Sequence, residues 1–230
     1  MIIIGRRGSA GLAPENSLEA LRLGFQAGAH ALHIDVRVTA DGVPVLVHDA
    51  SLKRTHGVDE LVKYNTADQL NRFAGNQPIA TLAEVLDEFL GKTILVIEAR
   101  NRNAAIAIAE MLNKRKLRKS DWHSIILVSF RVGDLVAARK ELPQLPTGLL
   151  HDNNPFTFIA YHRLLKFTAV GFHRLHTNRL AQQIAERADI FTFVYTANRP
   201  EAALLAAERG YDGVMTSYPD RVLDAIEKRS

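Results

Sequence analysis

The sequence has no cysteine. That excludes a disulfide framework, a thiolate zinc centre and a cysteine nucleophile, and it fits a reducing compartment. It has no run of about 18 apolar residues, so no membrane-spanning helix and no stable membrane anchoring are expected. It has no G-x-G-x-x-G and no P-loop, which removes the usual support for a nucleotide-binding sheet. No Ser/Gly-rich linker or low-complexity stretch divides it, so residues 1–230 read as one domain. The opening MIIIGRRG places four apolar residues before two arginines, too short and in the wrong order for a signal peptide, and the expected location is cytoplasmic. Charge of one sign is only slightly in excess. The 29 Lys+Arg against 25 Asp+Glu leave a net +4, which argues against nucleic acid and leans weakly towards a small anionic ligand.

What the chain does have is alternation. Short β-branched runs stand at 1–5, 31–39, 93–99, 124–130, 147–151, 169–173, 190–196 and 213–216. Between them lie stretches of helical period, from Asn16 or Ser17 to Gly28 and then at 103–117, 132–142, 154–167, 178–188, 200–209 and 219–228. Eight strand-then-helix units predict an α/β fold, a parallel sheet closed into a (β/α)8 TIM barrel; a doubly wound open sheet is the other arrangement of such units. Asp41-Gly42 between two alternating runs predicts a β-hairpin after the second strand, with 43–48 as the return strand. A two-residue turn there pairs Ala40 with Val43, Val38 with Val45 and Asp35 with His48. About 51–80 is left as a short insertion outside the barrel.

In such a barrel the reactive groups stand at the C-terminal strand ends. Those ends carry Arg6-Arg7, His33 and Asp35, Glu98 and Arg100, Ser129-Phe130, His151-Asp152, His173-Arg174, Tyr195 and Thr216-Ser217. By the two-residue turn, His33, Asp35 and His48 share one face of the hairpin. Glu98 interrupts the apolar run Ile94–Ile97, where a carboxylate needs a partner or a cation. His33, Asp35 and Glu98 can then form a mixed nitrogen/oxygen metal site, or Glu98 forms a buried ion pair with Arg100 or Arg7. Arg6-Arg7-Gly8 suits an anion, with a surface pair of arginines as the plainer alternative. The basic run 113–119 reads as a solvated helix end. The apolar segment 155–167 reads as an outer barrel helix whose start could line the mouth or touch lipid. No lysine stands at a strand end, so Schiff-base chemistry of an aldolase type has no support.

The segments IIIGRRGSAGLAPENSLEAL and AGAHALHIDVRVTADGVPVLVHDASLKRT, followed by LVIEAR, VSF, VYTANRPE and GYDGVMTSYPD, resemble the glycerophosphodiester phosphodiesterases. The resemblance runs in order over nearly the whole chain. It implies a (β/α)8 barrel that hydrolyses phosphodiesters of deacylated phospholipids to glycerol 3-phosphate and an alcohol. It further implies two histidines as general acid and base, one divalent metal held by three carboxylates, and arginine, lysine and the metal on the phosphoryl charge. Arg7, Gly8, Glu15, Asn16, Asp35, His48, Asp49, Arg54 and Glu98 match the pattern. Arg6 stands for the first catalytic His, His33 for a metal-ligand Glu, Arg100 for a Lys, Tyr195 for a Trp and Ser217 for an Asp. Arg6 can hold a phosphate oxygen but cannot exchange a proton near neutral pH. His33 in place of Glu removes a charge from the ligand set, which weakens Mg or Ca and suits Mn or Zn.

The expectation is therefore a metal-dependent phosphodiester hydrolase of lipid metabolism acting on a small anionic phosphodiester. His48, Arg7 and Arg6 carry the catalysis. Arg6, Arg7, Arg100 and Tyr195 bind substrate, and His33, Asp35 and Glu98 bind the metal. The alternative is a family member that binds a phosphodiester or glycerol phosphate without efficient turnover. The alcohol half of the substrate and the oligomeric state are left open.

Overall fold

The computed structural model describes residues 1–115, 117–151, 154 and 156–228. Among the described residues nine strands form one sheet: β1 (Ile2–Gly5), β2 (Ala31–Val38), β3 (Pro44–Leu46), β4 (Ile94–Ala99), β5 (Ile125–Ser129), β6 (Thr147–His151), β7 (Ala169–His173), β8 (Phe191–Tyr195) and β9 (Gly213–Thr216). All but β3 are parallel. β1 pairs with β2 on one side and with β9 on the other, so the eight parallel strands close into the barrel and an open sheet is excluded. Alternate residues divide the core into two layers. Ile3, Leu32, Ile34, Leu95, Ile97, Leu127 and Val170 face the surrounding helices. Ile4, Ala31, Val96, Val128, Leu150, Phe193 and Met215 fill the barrel. Burial on both faces is why these strands read as continuous apolar runs rather than alternating ones.

The helices are α1 (Leu18–Gln26), α2 (Lys53–His56), α3 (Ala67–Ala74), α4 (Leu82–Phe89), α5 (Arg102–Lys114), α6 (Val132–Glu141), α7 (Thr157–Leu165), α8 (Arg179–Arg187), α9 (Pro200–Glu208) and α10 (Pro219–Glu227). Their starts are chemically marked. Ser17, Asn101 and Asn178 each accept a backbone N–H with the side chain, and α9 and α10 open on proline. α4 was not among the helices expected, yet it supplies the second crossover. Its signal is the capping box Thr81–Glu84 ahead of buried Leu82, Val85, Leu86 and Phe89. Residues 51–80 form the insertion, built from α2, a 3-10 turn at Val62–Tyr64 and α3. Leu52, Val62, Leu70 and Ile79 pack there against Val45 and Val47 of the hairpin.

The hairpin corrects the expected register. Val36 opposes Leu46, Arg37 opposes Val45 and Val38 opposes Pro44, one residue away from the two-residue-turn pairing. Thr39 N–H donates to Val43 O (3.1 Å), so three residues, Ala40-Asp41-Gly42, make the loop. Gly42 takes φ +81°, the left-handed position that closes such a loop. A one-residue slip reverses the faces of a strand. His48 therefore does not oppose Asp35 in the ladder; β3 ends at Leu46 and the chain bends before His48.

Two peripheral expectations are also met. α7 buries Phe158, packed edge-on against Phe172 at 6.1 Å, while Ile159, Tyr161 and Leu164 face outward. In the basic run, Arg115 pairs with Asp87 (2.8 Å) and Arg118 with Asp121 (3.0 Å). Lys116, Asp152 and Pro155 of the expected features lie outside the described residues.

Candidate active site

Chain geometry gathers the polar groups at the C-terminal end of the barrel. Asp35 and Glu98 are direct partners in the β2–β4 register. His33 precedes Asp35 by two residues and shares its face. One ligand atom from each of His33, Asp35 and Glu98 lies within 4.8 Å of the others. A narrow pocket of about 80 Å³ is lined by these three with Arg6, Arg7, His48, Arg100, Phe130, Leu150, Tyr195, Thr196 and Met215. Every site residue expected from the sequence is thus in one place. His48 reaches it from the bend after β3, not by the pairing first expected.

The turn after β1 carries the arginines. Arg7 is buried with φ +52°, a left-handed backbone that a non-glycine residue holds only where its surroundings enforce it. Asn16 N–H donates to Arg7 O (2.9 Å), Arg7 Nη1 donates to both Glu15 oxygens (3.0 and 2.9 Å), and Arg7 Nε lies 3.2 Å from Asp35 Oδ2. Gly8 follows at φ +79°, where a Cβ would come within 2.9 Å of Leu21 N, so α1 is pressed directly onto this turn. Arg6 is different. Its side chain lines the pocket, and among the described residues no hydrogen bond or ion pair holds it. Burial and the neighbouring Arg7 lower its affinity for the proton, but a guanidinium stays charged at any working pH.

Asp35 is held by Asn16, whose Nδ2 donates to Oδ2 (3.0 Å) while its Oδ1 accepts Asp35 N–H (3.0 Å). Asp35 Oδ1 is buried and has no hydrogen-bond partner among the described residues, although Arg100 Nη1 stands 3.5 Å away. Arg100 also pairs with Glu98 through the same Nη1. Both sequence readings of Glu98 are therefore realised: an ion pair to Arg100 and a place in a metal-capable cluster. Arg7 does not take part in that pair; its carboxylates are Glu15 and Asp35. Burial pushes the Glu98 carboxyl up, but His33 and Arg100 outweigh it and hold it below the usual carboxylate range.

The donor set fits one divalent ion. It combines two buried carboxylates, an unpartnered Asp35 oxygen and an imidazole within coordination distance of one another. His33 fits with one adjustment. Its Nδ1 accepts Arg7 N–H (3.3 Å), which leaves the ring proton on Nε2, 3.2 Å from Glu98 Oε2. An ion at Nε2 requires that proton to move to Nδ1 and the Arg7 bond to give way.

Around His48 runs a chain of charged contacts that was not foreseen as a unit. His48 Nδ1 meets Asp49 Oδ1 (2.6 Å), Arg54 Nε donates to Asp49 Oδ2 (2.5 Å), and Arg54 Nη1 and Nη2 donate to Glu15 (2.9 and 2.5 Å). Glu15 then binds Arg7. Arg37, also missed, donates through Nε to His48 O (3.0 Å). Its signal was the alternation His33, Asp35, Arg37, three polar groups on one face of β2. Other strand-end groups do structural work. Ser129 Oγ donates to Asp134 (3.0 Å), Ser217 N–H donates to Asn198 Oδ1 (2.9 Å), and Tyr195 Oη donates to His151 O (2.6 Å). His173 packs edge-on against Tyr195 at 5.8 Å, outside the inner pocket.

Fold and site together define a (β/α)8 barrel protein with a carboxylate–imidazole cluster under a ring of guanidiniums. The model of the glycerophosphoryl diester phosphodiesterase family matches residues 7–221, and the chain belongs to that family. A glycerophosphodiester phosphodiesterase of Caldanaerobacter subterraneus subsp. tengcongensis is 25% identical over 242 residues, covering 99% of this chain and 98% of that one. Among solved structures, an Oleispira antarctica phosphodiesterase in complex with its product sn-glycerol-3-phosphate superposes with a TM-score of 0.86 at 26% identity, over 99% of this chain and 97% of that one. The Thermotoga maritima glycerophosphodiester phosphodiesterase gives 0.84 at 28% identity, over 97% of both chains.

Proposed function

We propose that this chain hydrolyses glycerophosphodiesters to sn-glycerol 3-phosphate and an alcohol, as a single-domain, metal-dependent enzyme. The observation that carries the reading is the convergence of His48, the His33–Asp35–Glu98 cluster and three arginines in one pocket at the barrel mouth. Its place is phospholipid turnover in the cytoplasm; none of the described helices is long and apolar enough to cross a membrane.

His48 is the acid/base residue. Asp49 fixes its Nδ1 proton, so Nε2 is the basic atom. Burial, with Arg7 and Arg100, lowers its proton affinity more than Asp35 and Asp49 raise it, so it is neutral at pH 7 and able to accept the proton of the attacking water, while the leaving alcohol takes its proton from solvent. Arg6, Arg7 and Arg100 line the pocket and stabilise the charge gathered on the phosphoryl oxygens in the transition state. Arg6 serves electrostatically where a second proton carrier would stand. Tyr195 contributes the face of its ring to the pocket wall, since its hydroxyl is engaged by the His151 carbonyl. His33, Asp35 and Glu98 would hold the metal, which when bound would supply Lewis-acid stabilisation of the phosphoryl charge. The imidazole in this set favours Mn or Zn over Ca.

The test is direct. Purified protein is assayed with Mg²⁺, Ca²⁺, Mn²⁺ and Zn²⁺ on sn-glycero-3-phosphocholine and sn-glycero-3-phosphoglycerol, with release of glycerol 3-phosphate as readout. Turnover well above that of His48→Ala with at least one metal is expected. Turnover no higher than that variant's with every metal ends the reading. A glycerol 3-phosphate affinity that Arg6→Ala abolishes would then leave a binding protein.

A further inference from the structure

The pocket at the cluster is too small for a whole diester. Its roughly 80 Å³ leaves room for the phosphoryl end of the substrate, beside a wall of Phe130, Leu150, Tyr195 and Met215. Beside it opens a second cavity of about 380 Å³, lined by His48, Glu98, Ala99, Arg100, Ser129, Phe130 and Arg131. The two share His48, Glu98, Arg100 and Phe130, so a group leaving the phosphorus has this cavity next to it.

The charge of the second cavity is one-sided. Arg131 has a two-thirds exposed side chain whose contacts are the Arg100 carbonyl (Nη2, 3.3 Å) and a distant Asp134 oxygen (3.9 Å). That oxygen already accepts from Ser129 Oγ, which leaves most of the Arg131 charge unspent. The buried Nε of Arg100 has no hydrogen-bond partner among the described residues. Arg37 stands behind, with its own affinity for the proton lowered by burial first, then by Arg100, and also by Arg131. The acidic group lining the cavity, Glu98, is committed to Arg100 and His33. Phe130 adds a partly exposed ring that can cover the carbon face of a cyclic or extended polyol.

We propose that this second cavity is the alcohol subsite, and that Arg131 with Arg100 selects diesters whose alcohol bears a further negative charge, such as a phosphorylated polyol, over diesters of cationic alcohols. The inference rests on the hydrolase reading for its turnover arm only. A quaternary ammonium here meets two guanidiniums without a carboxylate of its own, whereas a phosphate meets a fork of N–H donors.

The experiment compares three diesters: sn-glycero-3-phosphoinositol 4-phosphate (anionic alcohol), sn-glycero-3-phosphoglycerol (neutral) and sn-glycero-3-phosphocholine (cationic). Values of kcat/KM are taken for the wild type, Arg131→Gln and Arg131→Glu at low and moderate salt. The expected order is anionic, neutral, cationic, with at least about tenfold between the ends at low salt, and that span shrinks as salt rises. Arg131→Gln compresses the span and Arg131→Glu reverses it. The same three diesters are titrated calorimetrically into His48→Ala protein, with and without Arg131→Glu, where the same order and reversal are expected in Kd. An unchanged ratio of anionic to cationic diester in the Arg131 variants overturns the proposal in either arm. Absence of turnover of all three, including the neutral one, overturns the hydrolase reading instead, and the binding arm still decides the subsite.

Discussion

The two halves of the barrel build the mouth from unlike materials. β1, β2, β4 and the bend after β3 supply Arg6, Arg7, His33, Asp35, His48, Glu98 and Arg100 to the inner pocket, while the strands and loops from β5 onward supply Phe130, Leu150, Tyr195, Thr196 and Met215. In the first half every charged group but Arg6 is held by a polar partner: Arg7 by Glu15, Asp35 by Asn16 and Arg7, Glu98 by Arg100 and His33, and His48 by Asp49. In the second half the wall is held by ring contacts, such as Phe130 on Tyr195 at 5.9 Å and Phe193 beside Tyr195 at 6.4 Å. The difference teaches a division of labour. Neighbouring strands in one half pre-organise opposite charges at fixed spacing, which lowers the reorganisation needed when charge develops on phosphorus. The other half gives the pocket its shape.

The sharpest way to break this division is through single substitutions on each side. His48→Ala should lower kcat by about 10²–10⁴ while KM stays within a few-fold, measured by steady-state kinetics with the preferred metal. An equal loss from a substitution in the apolar wall, with KM unmoved, would erase the distinction. Asp35→Asn comes next. It removes a ligand charge, so the Kd for Mn²⁺ in a calorimetric titration should rise by at least about 100-fold, beyond the effect typical of outer-shell changes. A Kd that stays put would move the metal away from this cluster.

Arg54→Ala probes the contacts that hold the charged half together. Arg54 touches neither pocket, yet it joins Asp49 to Glu15 and through it to Arg7. Its loss should cost about tenfold in kcat through misplacement of His48, with little change in KM. It should also leave Asp49 more fully available to the imidazolium, so the acid limb of the pH–rate profile moves to higher pH, whereas Arg54→Lys restores part of both. A tenfold loss with an unmoved limb would make Arg54 a scaffold residue only. On the wall side, Tyr195→Phe removes the donor to the His151 carbonyl and should cost about 1–3 kcal/mol in urea unfolding, with kcat within a few-fold of wild type.

The same contrast decides what the sequence makes legible. Charged residues at the ends of apolar runs announce themselves, because burying Glu98 or Asp35 without partners is prohibitive; the eight residues expected to bind metal or substrate or to act on it lie together in the pocket. The barrel was readable from eight repeats of strand and helix. The hairpin register was not, because Asp41-Gly42 serves equally as a two-residue turn or as the end of a three-residue loop, and only the Thr39–Val43 pairing separates them. His48 lines the pocket by a route other than the expected pairing. α4 has only eight residues, short for a periodicity argument, and its signal in the sequence is the capping box Thr81–Glu84. Arg131 was invisible for the opposite reason. It sits two residues past the end of β5 among ordinary surface arginines, and its place is evident only from the cavity beside Arg100.

The smallest effect expected is also the one that ties rate to the charged half alone. Burial is the largest influence on His48 and disfavours its protonated form, and Arg7 and Arg100 act in the same direction; Asp35 and Asp49 oppose them without reversing the shift. Its proton affinity in the folded protein therefore lies below the ordinary histidine value of 6.5. With the neutral ring proposed as the base, kcat/KM should hold steady as pH falls through 6.5 and decline only when the lowered value is reached. Stability follows the same sign. The unfolded chain takes up this proton more readily than the folded one, so the contribution of His48 to folding is present above the ordinary value and is lost as pH falls through the folded one. Arg100→Gln removes one of the two cations that depress His48, and the limb should shift upward by a fraction of a pH unit. Tyr195→Phe, in the other half, should leave it where it is. A limb that moves with the wall and not with Arg100 would mean that the second half tunes the base after all.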